Sequence, residues 1–233
     1  MSDPLAGRSI LVTGASSGIG RATAVALVAR GARVVAAARS ADRLAALAAE
    51  LGAALEPVAA DVALPADVAR LVASAGHLDA VVNNAGVGHV EPFLASDPDR
   101  WRATLDTNLV GALMLARAVL PSMLAAGRGA ILNVGSASAS GWPYLTLYAA
   151  SKAALQAASV ALDREYAGRG VRVVHVEIGP TAGTEFGDRS DPQHLPAARR
   201  AWTELGIPWA VNVSMPDAAA ATLVAALADA LAG

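Results

Sequence analysis

Ser9 to Thr13 (Ser-Ile-Leu-Val-Thr) is a short apolar run that stops at Gly14. The next residues, Gly14-Ala-Ser-Ser-Gly18-Ile-Gly20, lead straight into a helical segment ending near Arg30. No other feature narrows the possible folds as much. The run is too short for a helix and suits a strand buried on both faces. Gly14 permits a tight turn, Gly18 lets the backbone approach a pyrophosphate, and Gly20 lets helix and strand pack closely. The helix start offers unpaired N–H groups and partial positive charge. Gly14, Ser16, Ser17, Gly18, Ile19 and Gly20 are therefore candidate contacts for a dinucleotide. The glycines are spaced G-x-x-x-G-x-G, not the more common G-x-G-x-x-G.

The same alternation continues along the chain. Strands are predicted at residues 33–38, 54–59, 78–82, 130–134 and 171–176. Helices are predicted at 41–51, 66–75, 99–126, 147–168 and 216–231. Gly52 and Gly127 mark helix ends, Asp97 and Pro98 a helix start, and Pro121 a kink or break. Regular βα alternation predicts a doubly wound α/β fold: a parallel sheet with right-handed crossovers and helices on both faces. No linker or repeat divides residues 1–233, so one domain is expected.

The second strand ends at Ala38, where a site preferring NAD usually carries an acid for the ribose hydroxyls. Arg39, Ser40 and, one turn on, Arg43 follow instead. A missing acid beside a guanidinium favours a 2′-phosphate, so NADP(H) is expected over NAD(H). Asp61 closes the third strand and can accept from an adenine amino group; Val62 follows it. After the fourth strand, Asn84, Ala85 and Gly86 are small enough for a ribose to lie against the backbone, and Asn83 can tie neighbouring strands.

Tyr148-Ala-Ala-Ser-Lys152 puts a phenol and an amine one helical turn apart on one face. Lys152 is the sole lysine among 18 Lys and Arg residues, which points to a requirement for a compact ammonium. A cation about 4 Å from the phenol, at an effective dielectric of about 20, would lower its pKa by roughly 3 units. That would bring it close to the range where general acid–base catalysis works best.

Composition excludes several alternatives. Apolar residues make up 55% and charged residues 16%, the net charge is −2, and there are no cysteines. There is no basic footprint for nucleic acid or an anionic membrane. Thiolate chemistry is absent, and four scattered His residues do not suggest a metal site. The N-terminus shows no apolar signal core, and no uninterrupted apolar run reaches spanning length. A cytoplasmic protein is expected.

Together, Thr13-Gly-Ala-Ser-Ser-Gly-Ile-Gly20, Asp61-Val62, Asn83-Asn-Ala-Gly86, Asn108, Ser136 and Tyr148-Ala-Ala-Ser-Lys152 resemble the short-chain dehydrogenase/reductases. The resemblance runs from about residue 7 to 225. It implies a three-layer Rossmann-like fold and a catalytic tetrad of Asn108, Ser136, Tyr148 and Lys152. By that resemblance, Tyr148 exchanges a proton with the substrate oxygen and Ser136 holds that oxygen. Lys152 lowers the Tyr pKa and grips the nicotinamide ribose, and Asn108 anchors a water that relays protons. Ser138 could share or take the place of Ser136. The chain departs from the family after the sixth strand, where Ile178-Gly179-Pro180-Thr181-Ala182-Gly183-Thr184 lacks the usual leading Pro. Gly179 fits the pattern, and either Thr181 or Thr184 meets the cofactor carboxamide. Many members add a seventh strand ending in Asp-Gly-Gly. It is missing here, so about six strands in the order 3-2-1-4-5-6 are expected. A homodimer through the helices at 99–126 and 147–168 is preferred over a tetramer.

Residues 181–213 have no clear period and read as a substrate loop with a short helix near 196–205. Trp142, Tyr144, Phe186 and Trp202 are expected to border the substrate, with His89 at the rim. An apolar or aromatic ketone or alcohol is the favoured substrate class. The alternatives are an idle NADP(H)-binding sensor or scaffold, and an epimerase or dehydratase on the same fold.

Overall fold

A computed structural model of the chain describes residues 3–186, 190–211 and 213–232. Its six parallel strands are β1 (Ser9–Thr13), β2 (Arg33–Ala38), β3 (Leu55–Ala59), β4 (Ala80–Asn83), β5 (Gly129–Val134) and β6 (Val171–Val176). They lie in the order β3-β2-β1-β4-β5-β6, as expected from the sequence. The reversal of direction falls between β1 and β4, where Ile10 pairs with Ala80 and Val12 with Val82. In such a sheet the cleft beyond this point is where ligands lie.

The inner strands β1, β2, β4 and β5 are buried on both faces because helices cover both. Alternate residues point to opposite sides. Ile10, Val12, Val34, Ala36, Val82 and Leu132 join a core closed by Leu27 of α1 (Gly18–Ala29), Leu44 and Leu47 of α2 (Ala41–Leu51), and Leu223 and Leu227 of α8 (Pro216–Ala232). Leu11, Val35, Val81, Ile131 and Val173 join a second core on the other face. Leu71 of α3 (Pro65–Ala75) and Leu115, Val119 and Met123 of α5 (Gly111–Ala126) cover it. Leu162 of α6 (Thr146–Tyr166) packs at its edge.

The long helix predicted at 99–126 is interrupted, but not at its proline. The α4 segment (Pro98–Leu105) passes through a π turn at Asp106–Val110 into α5, and Pro121 lies inside α5, which continues to Ala126. A π turn admits one extra residue and is often found at functional sites. Here it carries Asn108. The whole stretch Pro98–Ala126 has 29 residues and a mean hydropathy of 1.8 in its most apolar window, enough by length and composition to cross a membrane. Arg117 interrupts it, so it is not an uninterrupted apolar run. Leu115, Val119 and Met123 on this stretch are fully packed against the sheet.

The helix expected near 196–205 is α7 (Leu195–Glu204). Both ends of the loop at 181–213 are pinned together. Thr181 and Ser214 form an isolated parallel bridge, with Ala182 N donating to Ser214 O and Ser214 N to Pro180 O, both at 2.9 Å. Residues 187–189 and 212 of that loop lie outside the described residues.

Candidate active site

The glycine turn is built as its spacing demands. Gly14 and Gly18 have φ of 67° and 50°, in the left-handed region that favours glycine. A Cβ on Gly20 would stand 2.2 Å from Gly14 O and 2.4 Å from Asn84 Nδ2, so no side chain fits there. Asn84 Nδ2 donates to Thr13 O at 2.9 Å, and Thr13 Oγ1 accepts from the N–H groups of Asn84 and Ala85. The ends of β1 and β4 are thereby locked together. Asn84 acts through the turn's shape as well as its surface. The α1 start carries no side-chain cap at Ser17 and no acid in its first turn. Its leading N–H groups are left for an anion, which is the donor set a pyrophosphate requires.

A cavity of about 560 Å³ opens from this turn along the carboxyl ends of the strands. Its walls include Gly14, Ser16, Ser17, Gly18, Ile19 and Gly20, then Arg39, Ser40, Asp61 and Val62, then Asn84, Ala85 and Gly86. Gly179, Thr181 and Thr184 complete this side. Every residue assigned to the cofactor from the sequence, including Tyr148 and Lys152, lines this one space. Thr181 Oγ1 is engaged with Ser214 Oγ at 2.9 Å, at the loop's pinned base. Thr184 stands over the glycine turn, its Cγ2 3.4 Å from where a Cβ on Gly18 would be. Arg39 and Ser40 are exposed at the end of β2. Arg43 pairs with Glu185 of the loop at 181–213 instead of standing free.

Ser136, Ser138, Tyr148 and Lys152 line the same cavity at its other end. Ser136 Oγ and Ser138 Oγ are 2.9 Å apart, so the two candidate serines form one hydrogen-bonded pair, with Ser138 the more buried. Lys152 is 3% exposed, donates from Nζ to Val134 O at 2.7 Å, and lies 5.8 Å from the Tyr148 ring centre. Burial lowers its pKa to about 8. Asn108 is buried behind them and does not line the cavity; Thr107 does. Its Nδ2 donates to Val87 O at 2.8 Å and Ser151 Oγ at 3.0 Å, and its Oδ1 accepts from Val87 N at 2.8 Å. Ser151 Oγ in turn donates to Tyr148 O at 2.7 Å. Asn108 thus braces the segment after β4 against the helix that carries the phenol.

Two expectations are corrected. The Tyr148 phenol is not acidified: burial pushes its pKa up, and a hydrogen bond with Ser136 offsets only part of the rise. Spacing brought Tyr and Lys together, but the ammonium is directed at Val134 O and the surroundings are too dry to favour a phenolate. Tyr144 does not border the main cavity. Its φ of 67° turns the chain, and its side chain lines a separate recess of about 20 Å³ with His89, Trp101 and Arg100. Its carbonyl accepts from Glu91 N at 2.9 Å. Tyr148 borders both spaces.

Trp142, Phe186 and Trp202 do line the main cavity. Trp142 and Trp202 rings lie 5.5 Å apart, Phe186 lies 4.6 Å from the Tyr148 ring, and Trp202 Nε1 donates to Pro143 O at 2.7 Å. Three contributors were missed from the sequence. Ser151 could have been found from its place inside the Tyr–Lys motif. Gly88 is wedged where a Cβ would stand 2.6 Å from both Tyr148 and Phe186; nothing local announces it. Arg199 lines the cavity from α7, with its guanidinium 5.3 Å from the Trp209 ring centre.

Among known proteins, the family profile of the short chain dehydrogenases matches residues 8–194. An NADP-dependent 3-hydroxy acid dehydrogenase of Salmonella typhi is 38% identical over 184 residues, covering 76% of this chain and 74% of that protein. A solved short-chain dehydrogenase of Streptomyces avermitilis superposes with a TM-score of 0.83 at 31% identity, covering 95% of this chain and 84% of its own. The closed form of serine dehydrogenase complexed with NADP+ gives 0.79 at 32% identity, covering 91% and 86%.

Proposed function

The chain belongs to the short-chain dehydrogenase/reductase family, and from that premise we propose that it is an NADP(H)-dependent enzyme interconverting a carbonyl and a secondary alcohol. The observation that carries this is the meeting of Tyr148, Ser136 and Lys152 on the wall of the cavity that begins at the glycine turn. The nicotinamide, when bound, supplies or accepts the hydride. The chain's own residues manage the oxygen and its proton.

Tyr148 is the general acid in reduction. Its raised pKa keeps the phenol protonated at neutral pH, and a proton held there is available to a carbonyl oxygen gaining negative charge. Ser136, on the same cavity wall as that phenol, donates to the same oxygen and fixes its position; Ser138 orients Ser136. Lys152 carries charge at neutral pH despite its burial, since its pKa stays near 8. It returns a proton toward Tyr148 and meets the ribose. Asn108 holds the frame in which this happens, and its π turn offers a place for a relaying water. Helix-start N–H groups and Ser16 and Ser17 take the pyrophosphate.

NADP(H) is the preferred cofactor. Arg39 at the end of β2, with no acid in the place of Ala38, favours a 2′-phosphate. The NADP-dependent name of the Salmonella relative and the NADP+ in the serine dehydrogenase structure support the same choice. That relative's name also supports a 3-hydroxy acid as substrate, while Trp142, Phe186 and Trp202 suit an apolar body beside the carbonyl. The partly exposed Val110 and Val160 on the helices at 99–126 and 147–168 support a homodimer; a monomeric mass by light scattering at micromolar concentration would refute it.

Tyr148→Phe tests the reading. It should lose at least about 100-fold in kcat while binding NADPH within a few-fold of wild type. A wild type that binds NADPH yet oxidises it with no ketone or keto acid would instead indicate a cofactor sensor.

A further inference from the structure

Leu195, Arg199 and Trp202 are spaced i, i+4 and i+7 on α7, so one helix face carries all three toward the cavity. An arginine on that face is unexpected, because its neighbours there are apolar. The guanidinium lies over Trp209 at 5.3 Å, which orients it without neutralising it. Among the described residues no carboxylate pairs with it.

Among the described residues, three cationic side chains line the cavity: Arg39, Lys152 and Arg199. Arg39 stands at the end of β2, far along the cofactor side. Lys152 is held by Val134 O beside the phenol. Arg199 alone belongs to the substrate loop. A carboxylate drawn between Trp202 and Phe186 would be costly to bury unless paired, and a guanidinium pairs it through two parallel hydrogen bonds.

We propose that Arg199 binds the carboxylate of the substrate and so selects short 3-oxo and 3-hydroxy acids over neutral ketones and alcohols. This rests on the oxidoreductase assignment above and names the residue and chemistry behind its substrate class. Trp209 holds the guanidinium in place, and α7 presents it to the same cavity that Ser136 and Tyr148 line.

The test compares 3-hydroxybutyrate with its methyl ester, using holoenzyme with NADP+. The ester keeps the reacting alcohol and removes the charge. In wild type, kcat/KM should favour the acid. Arg199→Ala should lower the acid-to-ester ratio by about 10- to 100-fold, mainly through KM for the acid, and Arg199→Lys should recover part of it. A ratio within about threefold of wild type in Arg199→Ala overturns the proposal, because a merely structural role would weaken both substrates alike. Binding is read separately by tryptophan fluorescence, which Trp202 and Trp209 make sensitive at this site. Saturable quenching by 3-hydroxybutyrate in wild type, lost in Arg199→Ala, supports the carboxylate site even if no turnover occurs. In that case only the oxidoreductase assignment falls. Equal quenching in both proteins overturns the carboxylate site.

Discussion

Lys152→Met removes an ammonium and leaves an unbranched stem of similar length in the same buried space. The ordinary lysine value of 10.5 falls to about 8 because burial penalises the charge. At about 1.36 kcal/mol per pH unit, this gap is a penalty of roughly 3 kcal/mol borne by the folded protein at pH 7. Methionine relieves that penalty and loses the Nζ donation to Val134 O, a charge-assisted bond of about 1.5–3 kcal/mol. The variant should therefore range from equal to wild type to about 2 kcal/mol more stable at pH 7, while its turnover collapses. The pH dependence isolates the charge. The unfolded lysine keeps its proton up to about 10.5 and the folded one releases it near 8. Between those values the unfolded state binds more protons, so wild-type stability rises with pH. Urea melts of both proteins from pH 7 to 10 read this directly. The wild-type value should climb relative to the variant by up to about 1.4 kcal/mol per pH unit above pH 8, and the two should run parallel below about pH 7. Parallel curves across the whole range would show that the ammonium is not desolvated. So would a variant destabilised by more than about 2 kcal/mol at pH 7.

Gly20→Ala places a methyl against Gly14 O and Asn84 Nδ2; urea unfolding should show a loss of at least about 2 kcal/mol, and NADPH binding should weaken with it. A near-wild-type melt with full affinity would mean the turn relaxes freely. Arg39→Ala should weaken NADPH binding by about 10- to 100-fold and leave NADH affinity within a few-fold, measured by nicotinamide fluorescence. Equal losses for both cofactors would remove Arg39 from the 2′-phosphate.

The sheet order was expected from the family resemblance that Gly14, Asp61, the Asn83–Gly86 segment and Ser136 carry, each at or just beyond the end of a strand. The cofactor wall followed from those same markers. Asn83 ties β4 to β5 as its position at a strand end suggests: its Nδ2 donates to Asn133 Oδ1 at 2.8 Å. What escaped depended on three-dimensional surroundings. Pro121 promised a break that came instead at Asn108, where side-chain bonds to Val87 hold a wider helical turn. A left-handed tyrosine at 144 has no local signature. The i, i+4 spacing of Tyr148 and Lys152 foretold proximity, but not the dryness that decides the phenol's proton. Arg199 was hidden because residues 181–213 show no long period, although 195, 199 and 202 alone fit a helix face.

The bridge between Thr181 and Ser214 makes residues 182–213 an excursion that leaves and re-enters the framework through a single doorway. Closing a longer loop costs little once its ends are fixed, about 0.6 kcal/mol per doubling of length. Selection can therefore exchange or extend the part of this excursion beyond Phe186 while the glycine turn and the helix that carries the phenol remain where they are. In this architecture, the loop can evolve separately from the sheet that carries it.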